Sequence, residues 1–458
     1  MTLRYAYYGD DFTGSTDVLE QLAEGGVPAV LFLHLPDEKL LDRFPDAEAI
    51  GIAGDSRSRS PKWMEENLPT VYTSLQRASV VHYKTCSTFD SSPSVGSIGK
   101  AMDIGIDQFD APAAIVVAAP YMGRYVSFGI LFATAGDEIY RIDRHPTMAH
   151  HPVTPMHEPD LIKHLALQTD LNISNVTLSE MENITSATSA FDAAREDAKA
   201  VLFDGMTLED LETTGAVLLA RDQKFIVGSS GVTRALVLEW RKRGLLNDAI
   251  DIKTAKAVEQ ILVVSGSCSP VTEKQVFRAS EQGYKMLFVD VSALLRDESS
   301  EARKLIAAAG DILSSGSSCV IHTAEGPLGA SELAAGDRLG SALGRITKAI
   351  VEANSLRRII FAGGDTSSHG VAQLGVDALT FVAPIEVGAP LVKAHSEDSS
   401  IDGLEMVLKG GQMGGEDFFE TVRRGRSVPS TSSLRLSLPL SRSVARADIG
   451  SAKRQIID

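Results

Sequence analysis

Residues 5–24 read YAYYGDDFTGSTDVLEQLAE. An apolar run of strand length stops at Gly9, a polar turn follows, and apolar residues then recur at helical spacing. Gly9 to Asp17 places three aspartates, two threonines and one serine around two glycines, too polar for a buried strand and too small for a helix interior. A strand feeding a helix through a polar turn is the unit of a parallel sheet, whose ligands bind beyond the carboxyl ends of the strands.

The unit recurs. Short apolar runs ending in Gly, Ser or Asp appear in AIGIAGDSR, VVHYKTCST, AAIVVAAP, AVLFDG and KFIVGSSG, with helix-like stretches such as PKWMEENLPTVYTSLQR between them. Residues 237–258 are more polar, after which QILVVSGSCSP starts a second series that continues through KMLFVDV, SSCVIHTAEG, RRIIFAGGDTSSHG and ALTFVAPIEVGAP. The expectation is two α/β domains with largely parallel sheets and a ligand cleft between them, residues 1–250 and 251–458, divided near Asp251. The Ser-rich run SVPSTSSLRLSLPLSRS near the end reads as loop or tail.

Composition narrows the function classes. Forty-four basic against sixty acidic side chains give a net charge of −16, which argues against a nucleic-acid partner. The three cysteines, Cys86, Cys268 and Cys319, form no CxxC or Cys/His cluster, so neither a disulfide framework nor a structural zinc site is indicated. No apolar stretch reaches the roughly 18 residues of a membrane span, and Asp10 and Asp11 interrupt the first apolar run, unlike a secretory leader. A soluble cytoplasmic protein with no membrane partner is expected.

Several turns at strand ends carry chemistry. Asp10 and Asp11 can accept hydrogen bonds from a polyol or act as a base, while Asp11, Thr13 or Ser15 can equally cap a helix. AGDSRSRSP (53–61) offers Arg57 and Arg59, whose forks suit carboxylates. HYKTCSTFDSSPSVGSIG (82–99) offers Lys84, Ser87, Thr88, Asp90 and Ser91, and AAPYMGRYVSFG places Tyr121, Gly123 and Arg124 after another strand. His150, His151 and His157 lie among prolines without an HxxxH pair, which leaves a structural role and metal binding both open. In the second series VVSGSCSPVTEKQV (263–276), FAGGDTSSHGVAQLG (361–375) and KGGQMGGEDFF (409–419) are glycine-rich turns suited to phosphate. Neither a GxxxxGK[ST] P-loop nor the GxGxxG of a dinucleotide-binding dehydrogenase occurs.

Taken in order, DDFTGSTD, SRS, KTCSTFDSS, HPVTPM, SGSCSPVTEKQ, FAGGDTS and KGGQMGGEDFF resemble, from end to end, the four-carbon acid sugar kinases, once catalogued as a domain of unknown function. The resemblance implies an ATP-dependent kinase, using Mg2+, that phosphorylates a hydroxyl of a small sugar acid such as threonate, erythronate or 3-oxo-tetronate. The N-terminal domain would hold the acid and the C-terminal domain the nucleotide. By motif position Asp10, Asp11, Arg57, Lys84, Thr85, Cys86, Ser87 and Thr88 would contact the acid. Ser265, Gly266, Ser267, Gly363, Gly364, Asp365, Thr366, Gly410 and Gly411 would contact the nucleotide.

Many relatives carry a DSTLRG-like run where this chain has CSTFDSS, Cys86 to Ser92. That missing arginine opens a branched acid such as 3-oxo-isoapionate as an alternative substrate. For in-line phosphoryl transfer Asp365 is the first candidate base and Asp11 the second, with Arg57 and Lys84 neutralising the substrate carboxylate. The rival class is a noncatalytic sensor using the same pockets. Homo-oligomerisation and the metal ligands are left open by the sequence.

Overall fold

All five residues of Tyr5–Gly9 are buried, as a parallel strand covered on both faces requires. They are described by a computed structural model covering residues 3–151, 153–246, 254–267, 269–323 and 336–425. The Asp251 boundary, Cys268, the Ser-rich tail and the side chain of Asp365 lie outside the described residues.

Eight parallel strands form the first series, in the order Ala29–Phe32, Ala49–Ala53, Tyr5–Gly9, Val80–Lys84, Phe225–Gly228, Ala113–Val116, Ala200–Phe203 and Ile173–Val176. Five parallel strands form the second, in the order Lys285–Phe288, Cys319–His322, Leu262–Ser265, Arg358–Ala362 and Glu405–Lys409. The α/β class and the parallel arrangement agree with the sequence reading, and the structure adds how the two series are joined. Hairpin strands Ala378–Glu386 and Ala389–His395 pair antiparallel with each other, with Glu405–Lys409 on one side and with Ala29–Phe32 on the other. One fifteen-stranded sheet results.

The seam reverses strand direction between the two series. A single buried core also runs across the seam, from Tyr5, Val18 and Leu22 to Leu343, Phe361 and Val371.

Helix starts follow from local chemistry. Asp11 caps Phe12–Glu24 by accepting from Gly14 N, Ser60 caps Pro61–Leu75, and Ser269 caps Pro270–Glu281, the last two with proline in the first turn. Apart from the main sheet, Arg124–Ser127, Ile130–Ala135 and Glu138–Arg141 make a small antiparallel sheet.

Candidate functional site

Strand register brings the first cluster together. Gly9 lies beside Lys84 in the sheet, the Asp10 amide donates to the Lys84 carbonyl at 2.9 Å, and the Arg57 amide donates to the Asp10 carbonyl at 3.0 Å. The three turns after Tyr5–Gly9, Ala49–Ala53 and Val80–Lys84 therefore meet at one edge.

Their side chains divide into paired and unpaired groups. Asp11 Oδ1 accepts from Gly14 N at 2.6 Å and Asp11 Oδ2 from Arg57 Nη1 at 2.8 Å, so this carboxylate is both helix cap and ion-pair partner. Arg57 Nη2 donates to both oxygens of Asp90, at 2.8 and 2.7 Å. Both amino groups of the guanidinium expected to receive a substrate carboxylate thus already face carboxylates of the chain. Asp90 also accepts from Thr88 Oγ1 at 2.5 Å and from Thr154 Oγ1 at 3.0 Å. Burial would raise its pKa, but the Arg57 charge and these hydrogen bonds outweigh burial and hold it below the usual carboxylate range.

Asp10 differs. It is buried, and its Oδ1 has no hydrogen-bond partner. Burial first, then the neighbouring Asp11 charge, pushes its pKa up to about 7, against the opposing pull of Arg57 and Lys84. A buried carboxylate with one free oxygen that titrates near neutrality has the properties of a general base. Asp17, one and a half turns into the helix, is a second buried carboxylate with an unpartnered Oδ1 and a pKa raised by burial.

Lys84 Nζ donates to the Thr85 carbonyl at 2.9 Å. Among the described residues no carboxylate lies within ion-pair distance of it. Cys86 Sγ is 2.9 Å from Thr88 Oγ1, and Thr85 N donates to Gly228 O at 2.7 Å, which ties the segment to the next strand. Ser87 is half-buried beside them. His151 Nδ1 is 3.0 Å from Thr154 Oγ1, the hydroxyl that reaches Asp90, and among the described residues no group of three His, Cys, Asp or Glu side chains converges for a metal. His150 closes a single 3-10 turn, Met148–His150.

In the second series the turns approach by backbone. A Cβ on Gly266 would collide with Thr366 Oγ1; one on Gly411 would lie 2.7 Å from Ser267 Oγ, and one on Gly363 3.4 Å from the Ser267 amide nitrogen. Ser265 to Ser267, Gly363 to Thr366 and Gly410–Gly411 therefore share one cradle. Gly363 has φ +120° and precedes the helix Gly364–Ala372, whose first turn begins within the cradle and leaves its first amides without intrahelical partners. Gly364 is exposed, with open space where a side chain would project. The Ser265 and Thr323 hydroxyls are buried without partners beside it. Gln275 Nε2 donates to the carbonyls of Met413, Gly414 and Gly415 at 2.9–3.0 Å and fixes the last turn.

A cation that sequence reasoning did not assign also belongs here. Lys409 is fully buried at the end of its strand, donates from Nζ to Thr272 Oγ1 at 2.9 Å, and has its pKa lowered to about 8 by burial. Thr272 Oγ1 in turn donates to Gly411 O at 2.8 Å. The signal was present in KGGQMGG, but its glycines drew the reading away from the lysine. The two clusters are linked: buried Glu20 accepts from Gly388 N at 2.7 Å, and a Cβ on Gly388 would lie 3.1 Å from Met413 Cε. A cavity of about 450 Å³ at the seam, lined by Val27, Phe44 and Phe381, contains none of these residues.

Two domain families match the chain. A sugar-binding N-terminal domain family matches residues 5–236, and a nucleotide-binding C-terminal domain family matches residues 262–419. The chain is 42% identical over 445 residues to a 3-oxo-isoapionate kinase of Paraburkholderia graminis, covering 93% of this chain and 95% of that protein. The chain belongs to the four-carbon acid sugar kinase family. As a member it is an ATP-using sugar acid kinase, not a noncatalytic sensor. A 3-oxo-tetronate kinase of Cupriavidus necator is 30% identical over 91% of this chain and 95% of its own length. A solved structure from Salmonella typhimurium superposes with a TM-score of 0.77 at 26% identity, covering 93% of this chain and all of that one. Among the described residues no helix is long and apolar enough to cross a membrane.

Proposed function

We propose that this kinase phosphorylates a hydroxyl of a branched 3-oxo sugar acid, 3-oxo-isoapionate, in preference to the linear four-carbon acids. The observation that carries the choice is the 42% identity over nearly the whole chain to a 3-oxo-isoapionate kinase, against 30% to 3-oxo-tetronate kinases. The CSTFDSS segment, which lacks the arginine of the DSTLRG-like run, supports it.

Residues 1–250 hold the acid and residues 251–458 the nucleotide in this reading. The nucleotide phosphates lie in the cradle of Ser265 to Ser267, Gly363 to Thr366 and Gly410–Gly411, where backbone approach is closest and the Ser265 hydroxyl awaits a partner. The acid lies over Asp10, Lys84 and the Thr85 to Thr88 segment. Asp10 takes the role of base ahead of Asp11, whose oxygens serve Gly14 and Arg57. The acceptor hydroxyl oxygen bonds to the γ-phosphorus as the bond to the β-γ bridging oxygen breaks; its proton passes to Asp10, and ADP leaves. Asp365 stays the alternative base on the nucleotide side. Mg2+ takes few protein ligands when phosphates and water supply the rest, which fits the unpartnered Ser265 and Thr323 hydroxyls as its protein oxygens. When bound, it neutralises charge on the phosphate oxygens.

An ADP-release assay with 3-oxo-isoapionate, 3-oxo-tetronate, threonate and erythronate tests the choice. The branched acid is expected to show kcat/KM at least about tenfold above the others, the discrimination that one or two pocket contacts supply. A higher value for 3-oxo-tetronate overturns it.

A further inference from the structure

Asp11 and Asp90 neutralise Arg57, which leaves Lys84 alone of the two expected cations to face the carboxylate of the acid. Arg124 starts the small antiparallel sheet. Its Nη1 donates only to main-chain carbonyls, those of Met122, Gly123 and Thr134 at 3.1, 3.2 and 3.4 Å, and its Nε is buried without a partner. Among the described residues no carboxylate comes within ion-pair distance of it, in contrast to Arg57. A guanidinium with an unsatisfied buried nitrogen and no counterion is costly unless an anion arrives.

Its surroundings point the same way. Arg124 exchanges backbone hydrogen bonds with Ala119, in the turn that leaves the strand Ala113–Val116. That strand's Val116 lies beside Gly228, and Gly228 lies beside Lys84 and accepts from Thr85 N, so the turn carrying Arg124 leaves the same sheet edge as the Lys84 to Thr88 segment. The nearby His145 adds no negative charge: its Nδ1 faces the Thr147 and Met148 amides at 3.2 and 3.3 Å, and burial, with Arg124 adding to it, lowers its pKa.

Resting on the sugar acid reading above, we infer that Arg124 is the residue that binds the substrate carboxylate, and that Arg57 is a positioning residue that orders Asp11 and Asp90. The small sheet thereby supplies from another part of the chain the arginine that CSTFDSS lacks. Lys84 adds charge without the planar fork that a carboxylate matches.

The experiment compares the acid with its neutral carboxamide as competitive ligands of the full-length kinase. Wild type is expected to bind the acid more tightly than the amide by about 10- to 100-fold, as charge-assisted hydrogen bonds give. In Arg124→Gln that preference should fall to near unity while KM for ATP stays within about twofold. Arg124→Lys should keep part of the preference. A structural role would weaken acid and amide equally, and retention of the acid preference in Arg124→Gln overturns the inference while leaving kinase function intact. Should the variants fail to fold, phenylglyoxal labelling of wild type decides: the acid, and not the amide, should protect Arg124 as read by mass spectrometry, and absent or equal protection refutes the assignment. Failure of the underlying reading is separate and shows as no ADP release from wild type with any of the four acids.

Discussion

The turn after Tyr5–Gly9 and the turn after Arg358–Ala362 share one local plan, strand, glycine, helix, yet in the function proposed above they build recognition from different parts of the chain. In the first, side chains carry the chemistry: Asp10, Asp11, Lys84, Arg57 and Asp90 gather at one sheet edge, and burial and charge shift Asp10 upward and Asp90 downward. In the second, the main chain carries it: Gly266, Gly363 and Gly411 let three turns approach so closely that a methyl group would intrude. A phosphate chain presents many equivalent oxygens that amides can meet. A small acid with distinct hydroxyls and one carboxylate needs individually placed groups. The contrast predicts that conservative charge changes damage the first turn and added carbon atoms damage the second.

The largest expected effect tests the first half of that contrast. Asp10→Asn should lower kcat by about 10²- to 10⁴-fold, the range for loss of a general base, with ADP affinity unchanged by calorimetry. In wild type, activity should rise with pH through about 7, where Asp10 loses its proton. Stability runs the other way. A carboxyl whose folded pKa exceeds its unfolded value of about 3.9 makes the native state the stronger proton binder between those values, so its contribution falls as pH rises from about 4 to 7. Asp10→Asn should therefore melt a few degrees higher than wild type at pH 8 and show little difference at pH 4. Unchanged turnover would transfer the base to Asp365.

An intermediate effect tests the second half. Gly363→Ala adds one carbon at φ +120°, a strain of about 1–3 kcal/mol that should weaken ADP binding roughly tenfold to a hundredfold. KM for the sugar acid should stay within about twofold. Equal losses for both ligands would mean that the cradle and the acid site are one unit and that the contrast is wrong.

The sequence makes the first turn legible because strand, cap and helix lie within twenty consecutive residues and obey local rules. It does not reveal which charges pair. Arg57 is the right residue type for a carboxylate, but its partner Asp90 comes from a different strand's turn, and the registers of Tyr5–Gly9 with Ala49–Ala53 and with Val80–Lys84 bring them together. The seam is hidden for a similar reason. ALTFVAPIEVGAP reads as a strand, while its pairing of Ala378 with Phe32 and Leu379 with Leu31 spans more than three hundred residues. The small sheet that carries Arg124 consists of short, half-exposed strands whose burial pattern lacks the apolar runs by which buried strands are read.

The smallest expected effect concerns Lys409, a side chain that works inside the main-chain half and so marks where the contrast ends. Burial lowers its pKa to about 8, so between about 8 and 10.4 the unfolded chain binds the extra proton and native stability rises with pH. If the ammonium also faces the phosphates, it must be protonated to attract them, and ADP affinity should fall by up to about tenfold from pH 7 to pH 9. Lys409→Met should remove both trends: a flatter stability profile above pH 8 and an ADP affinity that no longer varies with pH. A wild-type affinity constant across that range, with the stability trend intact, would make Lys409 a support for Thr272 and Gly411 alone. The nucleotide half would then recognise phosphate by backbone and hydroxyl groups without a cation of its own, which sharpens the difference between the two turns.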